Sequence, residues 1–379
     1  MSSRHRTETP WHRKPFQLCA FLAALGLSAS AVAQQADTCL DVILTGTKGG
    51  PNVYGDLAGP GTLVSFGRRD NNCRDLLLQF DAGRATSIRL AQLGIMAGDL
   101  DALFLTHTHS DHVQGLADLM QLRWHYYSER PPLDMVSTVD VRAPGGHTLS
   151  AGKLAAHIAA PFLASGEIAQ RHAERPQTAA EGPAALLNPI LVERPDKPTA
   201  VWRSGAVVVS AIASTHTANH LSYRVDTPAG SVVIGGDASS DTRKPPREHS
   251  TSAQVELLAQ GADVLVHSTT HPVMGPEAGG GMPAPIFYRQ STATDLGAMA
   301  QRAGISHYLL THLTPSLGEV PGDEGWAIPG APLDAGDFKA AVRVGGFTGT
   351  IVVGPDLVGL RLPEGLALQP PAPGSTPAP

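Results

Sequence analysis

Six consecutive residues, His107-Thr108-His109-Ser110-Asp111-His112, bring three imidazoles and a carboxylate into one short stretch. Imidazole nitrogen and carboxylate oxygen are ligands that zinc favours, and a catalytic zinc keeps one position open for water. The chemistry such a stretch can do is metal-assisted hydrolysis. A solvated loop that happens to be rich in histidine is the plain alternative, and the fixed placing of four ligand-type side chains speaks against it. With only three cysteines in 379 residues, a site built purely from thiolates is excluded.

Rigid elements must hold that stretch in place. The apolar run 102–105 before it reads as a buried strand. Residues 113–124 after it read as a helix, with Val113, Leu116, Leu119, Met120 and Leu122 apolar. The histidines therefore sit in a tight strand-to-helix loop. Three further ligand-type residues follow apolar runs in the same way: His216 after 206–214, Asp237 after 231–234, and His312 after 307–310. Taken singly, a strand-end histidine is more often a hydrogen-bonded structural residue, and an aspartate after Gly-Gly more often part of a turn. An α/β sheet, however, gathers side chains from several strand ends into one crevice. The alternation of short apolar strands, helical patterns and Gly/Pro turns along the chain points to a layered α/β fold.

The N-terminal residues 1–33 read as a secretory leader. Arg4, Arg6, Arg13 and Lys14 precede an apolar run over 18–27, and Ala31-Val32-Ala33 supplies a cleavage signal. That run is too short for a membrane span, so no membrane anchor is expected after cleavage. The expected location is periplasmic or secreted. Residues 34–368 would then form one hydrolase domain with a helical and loop insert over about 125–200, and 369–379 a disordered Pro-rich tail. The formal charge of −6 argues against non-specific nucleic-acid binding. Cys39 and Cys73, both beyond the leader, form one disulfide or remain buried thiols.

The chain resembles the metallo-β-lactamase-fold hydrolases over about residues 41–353. The resemblance rests on the HTHSDH block, Asp81 in "FDAG", His216 in "STHTANHLSYR", Asp237 in "IGGD" and His312 in "LLTHLTPS". It implies a four-layer αββα sandwich and two Zn2+ per chain. His107, His109 and His216 would hold one ion, and Asp111, His112 and His312 the other, with Asp237 bridging. Asp81 would orient a ligand imidazole from behind. A hydroxide shared by the ions would attack the substrate, with Asp111 both ligand and proton acceptor.

Within that family, "ADVLVHSTTHP" and Tyr223-Arg224 resemble the ribonuclease Z and arylsulfatase-like branch. His267 would then assist the leaving group. Ribonuclease Z carries a long tRNA-gripping arm between the middle histidine and the bridging aspartate, and the short 216–237 spacing leaves no room for it. The expected substrate is therefore a small-molecule anionic ester, a phosphodiester or aryl sulfate, with no nucleic acid. A homodimer is left open. The rival readings are a lactonase or β-lactamase on the same fold, and a non-catalytic metal-binding periplasmic protein. No substrate-binding residue stands out. Trp124 and Tyr126 with Arg171 and Arg175 suit either a pocket or the core face of a helix.

Overall fold

A computed structural model describes residues 37–322 and 325–371. The leader read over 1–33 and the tail beyond residue 371 lie outside the described residues. The strands follow in chain order as β1 (Thr38–Gly46), β2 (Gly61–Arg68), β3 (Leu76–Phe80), β4 (Ala102–Phe104) and β5 (Leu133–Thr138). A two-stranded ribbon of β6 (Val141–Arg142) and β7 (Thr148–Leu149) comes next, then β8 (Leu187–Val192). The series β9 (Thr199–Ser204), β10 (Val207–Ala213), β11 (Leu221–Thr227), β12 (Gly230–Ile234), β13 (Val264–Thr270), β14 (His307–Thr314) and β15 (Thr350–Val352) builds a second sheet. Finally β16 (Gly359–Leu362) and β17 (Leu366–Leu368) return to the first. The first sheet has the order β17-β16-β1-β2-β3-β4-β5-β8, and the second β15-β14-β13-β12-β11-β10-β9.

Side chains alternate across a strand, and that alternation builds the layers. In β13, Val264 and Val266 face the other sheet while Leu265 packs on helices. In β14, Leu309 lies between the sheets and Tyr308 and Leu310 outside. Phe80 stacks on Phe104 at 4.7 Å between the sheets, with Tyr223 tilted against both. On the outer face of the first sheet, Leu103 shares one core with Leu116, Met120 and Trp124 of the helix Leu116–Tyr126. On the outer face of the second, Leu265 meets Leu296 of the helix Ala293–Arg302 and Phe338 of the helix Ala335–Val344. Each such fully buried side chain is worth about 1.5–3 kcal/mol. The fold is the expected αββα sandwich.

Two details differ from the sequence reading. The helix read over 113–124 is two pieces, Ser110–Val113 and Leu116–Tyr126. They meet at Gly115, where a Cβ would fall 2.1 Å from the Gly83 carbonyl oxygen. That close approach brings the histidine loop against the turn after β3. Within the stretch 125–200, β5 and the helices Ala151–His157, Ala160–Ala164 and Glu167–Glu174 lie where a strand over 135–141 and helices over 149–173 are expected, while β8 joins the first sheet from a stretch expected to be loop. β8 escapes detection because it carries Pro189, which an edge strand tolerates.

Cys39 and Cys73 form a disulfide that ties β1 to the turn between β2 and β3. Among the described residues no helix is long and apolar enough to cross a membrane.

Candidate metal centre

Seven ligand-type side chains converge at one end of the sandwich. His107, His109, Asp111 and His112 follow β4. His216 lies between β10 and β11, Asp237 follows β12, and His312 sits within β14. Three overlapping groups bring their ligand atoms within 4.8 Å of one another: His107, His109 and His216; His107, His112 and Asp237; Asp111, His112 and His312. Asp237 Oδ2 is 3.1 Å from His312 Nε2, 3.5 Å from His112 Nε2 and 3.7 Å from His216 Nε2. It therefore touches both ends of the cluster. Asp111 Oδ2 lies 3.3 Å from His312 Nε2 and 3.7 Å from His112 Nε2.

Three of the imidazoles, those of His112, His107 and His216, are held from behind. Asp81 Oδ2 meets His112 Nδ1 at 2.8 Å, while Asp81 Oδ1 accepts the Thr106 backbone N–H at 2.8 Å. The Thr106 hydroxyl lies 3.1 Å from His107 Nδ1, and the Arg289 carbonyl 3.3 Å from His216 Nδ1. Asp81 and His312 both adopt positive φ, at 55° and 46°. Non-glycine residues rarely do so, and such conformations cluster at functional sites. His220, unremarked in the sequence, accepts the Asp237 backbone N–H at 3.1 Å and so fixes the turn that carries Asp237.

This donor set fits metal ions. His107 Nε2, His112 Nε2 and Asp237 Oδ1 are buried with no hydrogen-bond partner among the described residues. Buried polar atoms are otherwise almost always paired, and a coordinated cation would satisfy all three. The charges point the same way. Burial depresses His107 and His109 below the ordinary imidazole value and pushes His216 down to about 3, so all three stand neutral, as ligands must. For His112, burial acts downward, but Asp237 and Asp81 outweigh it and hold the pKa well above its usual value. His312 is likewise depressed by burial, yet raised on balance to about 9 by Asp237 and Asp111. Burial raises Asp111, but His312 and His112 more than reverse it and keep the carboxylate ionised. A cation entering here would take the place of the protons on His112 and His312.

The loop after β1 closes one side of the cluster. Gly50 N donates to Asp111 Oδ2 at 3.0 Å. Gly49 lies so close that a Cβ would fall 2.4 Å from His312 Nδ1. Buried Asp356 pins this loop by accepting from Thr47 N, Thr47 Oγ1, Ala58 N and Arg89 Nε. The cluster floors a cleft of about 610 Å³, whose lining also includes Lys48, Met282, Ile286, Arg289, Gln290 and Trp326. The sequence reading missed these residues, because none carries a motif and their loops meet only in the folded chain.

Because Asp81 orients His112, Asp81→Ala is expected to weaken metal affinity by roughly 10–100-fold, the usual loss on removing such a support. A competitive zinc titration checks this.

His267 does not stand where the leaving-group role requires. β13 continues through Ser268-Thr269-Thr270, so His267 lies inside the strand rather than past its end. It is 0% exposed, its Nδ1 faces the Ser268 carbonyl at 2.7 Å, and its ring packs on Gly235. Burial pushes its pKa down to about 4. His267→Ala is therefore expected to lower the melting temperature while leaving kcat within a few-fold. A general acid would lose roughly 10²–10⁴. Trp124 is likewise no pocket residue: it is fully buried and donates Nε1–H to the Ala179 carbonyl. Tyr126 is exposed beneath the Arg175 guanidinium, away from the cleft.

Comparison with known proteins places these features in context. Residues 71–144 match the family model "Anti-Pycsar protein Apyc1". Ribonuclease Z of Mycobacterium sp. (strain KMS) is 28% identical over 335 residues, covering 87% of this chain and 99% of that protein. Ribonuclease Z of Mycobacterium avium (strain 104) is 30% identical over 309 residues, covering 81% and 95%. The metallo-β-lactamase-fold protein YhfI from Bacillus subtilis superposes with a TM-score of 0.52 at 18% identity, covering 86% of this chain and 99% of its own. Human tRNase Z, short form, gives 0.52 at 16%, covering 85% and 99%.

These relatives overturn the expectation of a small-molecule ester with nucleic acid excluded. Proteins named as ribonucleases align with this chain over nearly their whole length. Net acidity sums over the whole chain and does not describe the cleft, whose lining sets Arg289 and Lys48 beside Glu319 and the cluster carboxylates. The short path from His216 to Asp237 is taken up by the β11–β12 hairpin, which limits one loop and leaves the scissile bond undetermined.

Proposed function

Since the chain belongs to the ribonuclease Z branch of the metallo-β-lactamase-fold hydrolases, we propose that it is an exported binuclear zinc phosphodiesterase that cleaves RNA. A hydrolase of phosphodiester type is the common ground of its relatives. The observation that carries the zinc reading is the set of orphaned atoms, His107 Nε2, His112 Nε2 and Asp237 Oδ1, all buried within the seven-residue cluster.

His107, His109 and His216 would hold one ion, Asp111, His112 and His312 the second, and Asp237 both. When bound, the two ions supply Lewis acidity, bringing a water toward deprotonation at neutral pH and stabilising charge on the phosphoryl oxygens. The protein's own part is positional. Asp81 and Thr106 fix the imidazoles, and Gly50 N–H fixes the Asp111 carboxylate. Ionised Asp111 is available at the floor of the cleft to accept the proton of the attacking water. Trp326, 41% exposed on the cleft wall, offers a face on which a base can stack, an interaction worth about 1–3 kcal/mol.

Export is supported by the leader pattern over 1–33 and by the Cys39–Cys73 disulfide, a bond that persists in oxidising compartments. A mature N-terminus at Gln34 in the periplasmic or culture fraction, read by mass spectrometry, tests it.

The function is tested by metal analysis with side-by-side turnover of bis(p-nitrophenyl) phosphate, an RNA oligonucleotide, p-nitrophenyl sulfate and a simple lactone. About two zincs per chain and cleavage of both phosphodiesters are expected. Turnover of the sulfate alone or the lactone alone would move the protein to another reaction class.

A further inference from the structure

Arg289 stands out among the cationic side chains near the cluster. It lines the cleft beside His216, and its own carbonyl meets His216 Nδ1 at 3.3 Å, so its backbone is tied to the metal centre. Its neighbours are already engaged. Arg243 donates Nη2–H to the His216 carbonyl at 3.0 Å. Arg247 donates to the Tyr288 carbonyl and lies over the Tyr288 ring at 4.8 Å. The Arg289 guanidinium, by contrast, makes no ion pair with a carboxylate among the described residues, and its Nε is buried without a hydrogen-bond partner. A planar cation with an orphaned buried N–H, facing a cleft over a metal centre, is the arrangement that receives an oxyanion, because the guanidinium fork matches two oxygens of a phosphate. Lys48 lies at the other end of the cleft, next to Gly49 and His312. Its ammonium is held by the Gly49 carbonyl at 2.6 Å and Asn52 Oδ1 at 3.0 Å. The two cations thus stand at opposite ends of the cluster, and of the two only Arg289 lacks a side-chain partner among the described residues.

We propose that Arg289 is the phosphate-binding residue of this cleft, its guanidinium receiving non-bridging oxygens of the substrate phosphate on the His216 side of the metal centre. This rests on the phosphodiesterase reading and goes further, by naming the residue that favours a phosphate over an uncharged ester.

Calorimetric titration of the zinc-loaded protein with inorganic phosphate tests it, comparing wild type with Arg289→Met, Arg289→Lys and Lys339→Met. Lys339 is an exposed cation on the helix Ala335–Val344, away from the cleft, and controls for the loss of one charge. Arg289→Met is expected to weaken phosphate binding by roughly 10–100-fold, the scale of hydrogen bonds to a charged group. Arg289→Lys should fall between it and wild type, with Lys339→Met unchanged and zinc content equal in all four. Binding by Arg289→Met within twofold of wild type would overturn the assignment, as would loss of zinc from that variant, which would place its effect on the metals. Phosphodiester turnover by the wild type is read separately. Its absence would sink the proposed function while an Arg289-dependent phosphate site stood.

Discussion

Asp237→Asn is expected to lower phosphodiester turnover by about 10³-fold or more and to reduce bound zinc from two ions per chain toward one. Asp237 Oδ2 is the oxygen that lies within 3.1–3.7 Å of imidazole nitrogens from both ends of the cluster, those of His312, His112 and His216. Asparagine preserves the volume and the turn held by His220, so the fold should persist, but it removes the negative charge that two cations would share. Losing one element of electrostatic stabilisation in a dry site already costs 10²–10³ in rate, and here the second ion goes with it. Metal analysis and single-turnover kinetics on the same preparation check both parts. Two zincs and near-wild-type turnover would show that Asp237 bridges nothing.

The second large effect concerns stability. Replacing Cys39 and Cys73 together by serine is expected to destabilise the protein by about 3–4 kcal/mol, the chain-entropy value for a loop of this span. For a chain of this size that corresponds to a fall in melting temperature on the order of 5–10 °C. The bond closes β1 onto the β2–β3 turn. β1 in turn pairs with β2 and β16 and leads into the Gly49-Gly50 loop over the candidate metal site. Thermal unfolding of the double variant, and of the wild type with reductant, should agree. No shift in either would mean that the bridge adds nothing to stability.

How much of this was legible in the sequence depended on where each residue's chemistry is encoded. His107, His109, Asp111 and His112 are contiguous, so local spacing alone exposes them. His216 and Asp237 each follow an apolar run that must be a buried strand, and strand ends in an α/β sheet share one edge. His312 follows such a run too, but β14 continues past it to Thr314, so it reaches the cluster from inside its strand. Asp81 was legible only through the family resemblance, since nothing local shows that a turn aspartate will reach His112 Nδ1. His267 misled because a strand's end was read from its apolar residues. The β-branched threonines after it extend β13 and carry the histidine into the interior. Lys48, Arg289 and Trp326 come from loops that meet only through tertiary packing, and no periodicity marks them. The substrate class was misread for a related reason. A net charge and the length of one loop are properties of the whole chain or of a single segment, whereas recognition depends on the few charges that face the cleft.

The central claim, that paired metal ions in this cluster cleave a nucleic-acid phosphodiester, is tested most directly by one assay. A 5′-labelled RNA oligonucleotide is incubated with the purified protein, with the same protein stripped by a chelator, and with the stripped protein given back two equivalents of zinc. Cleavage that disappears on stripping and returns with zinc is the predicted result. RNA left intact by the zinc-loaded protein, or cleaved equally well by the stripped one, would contradict it.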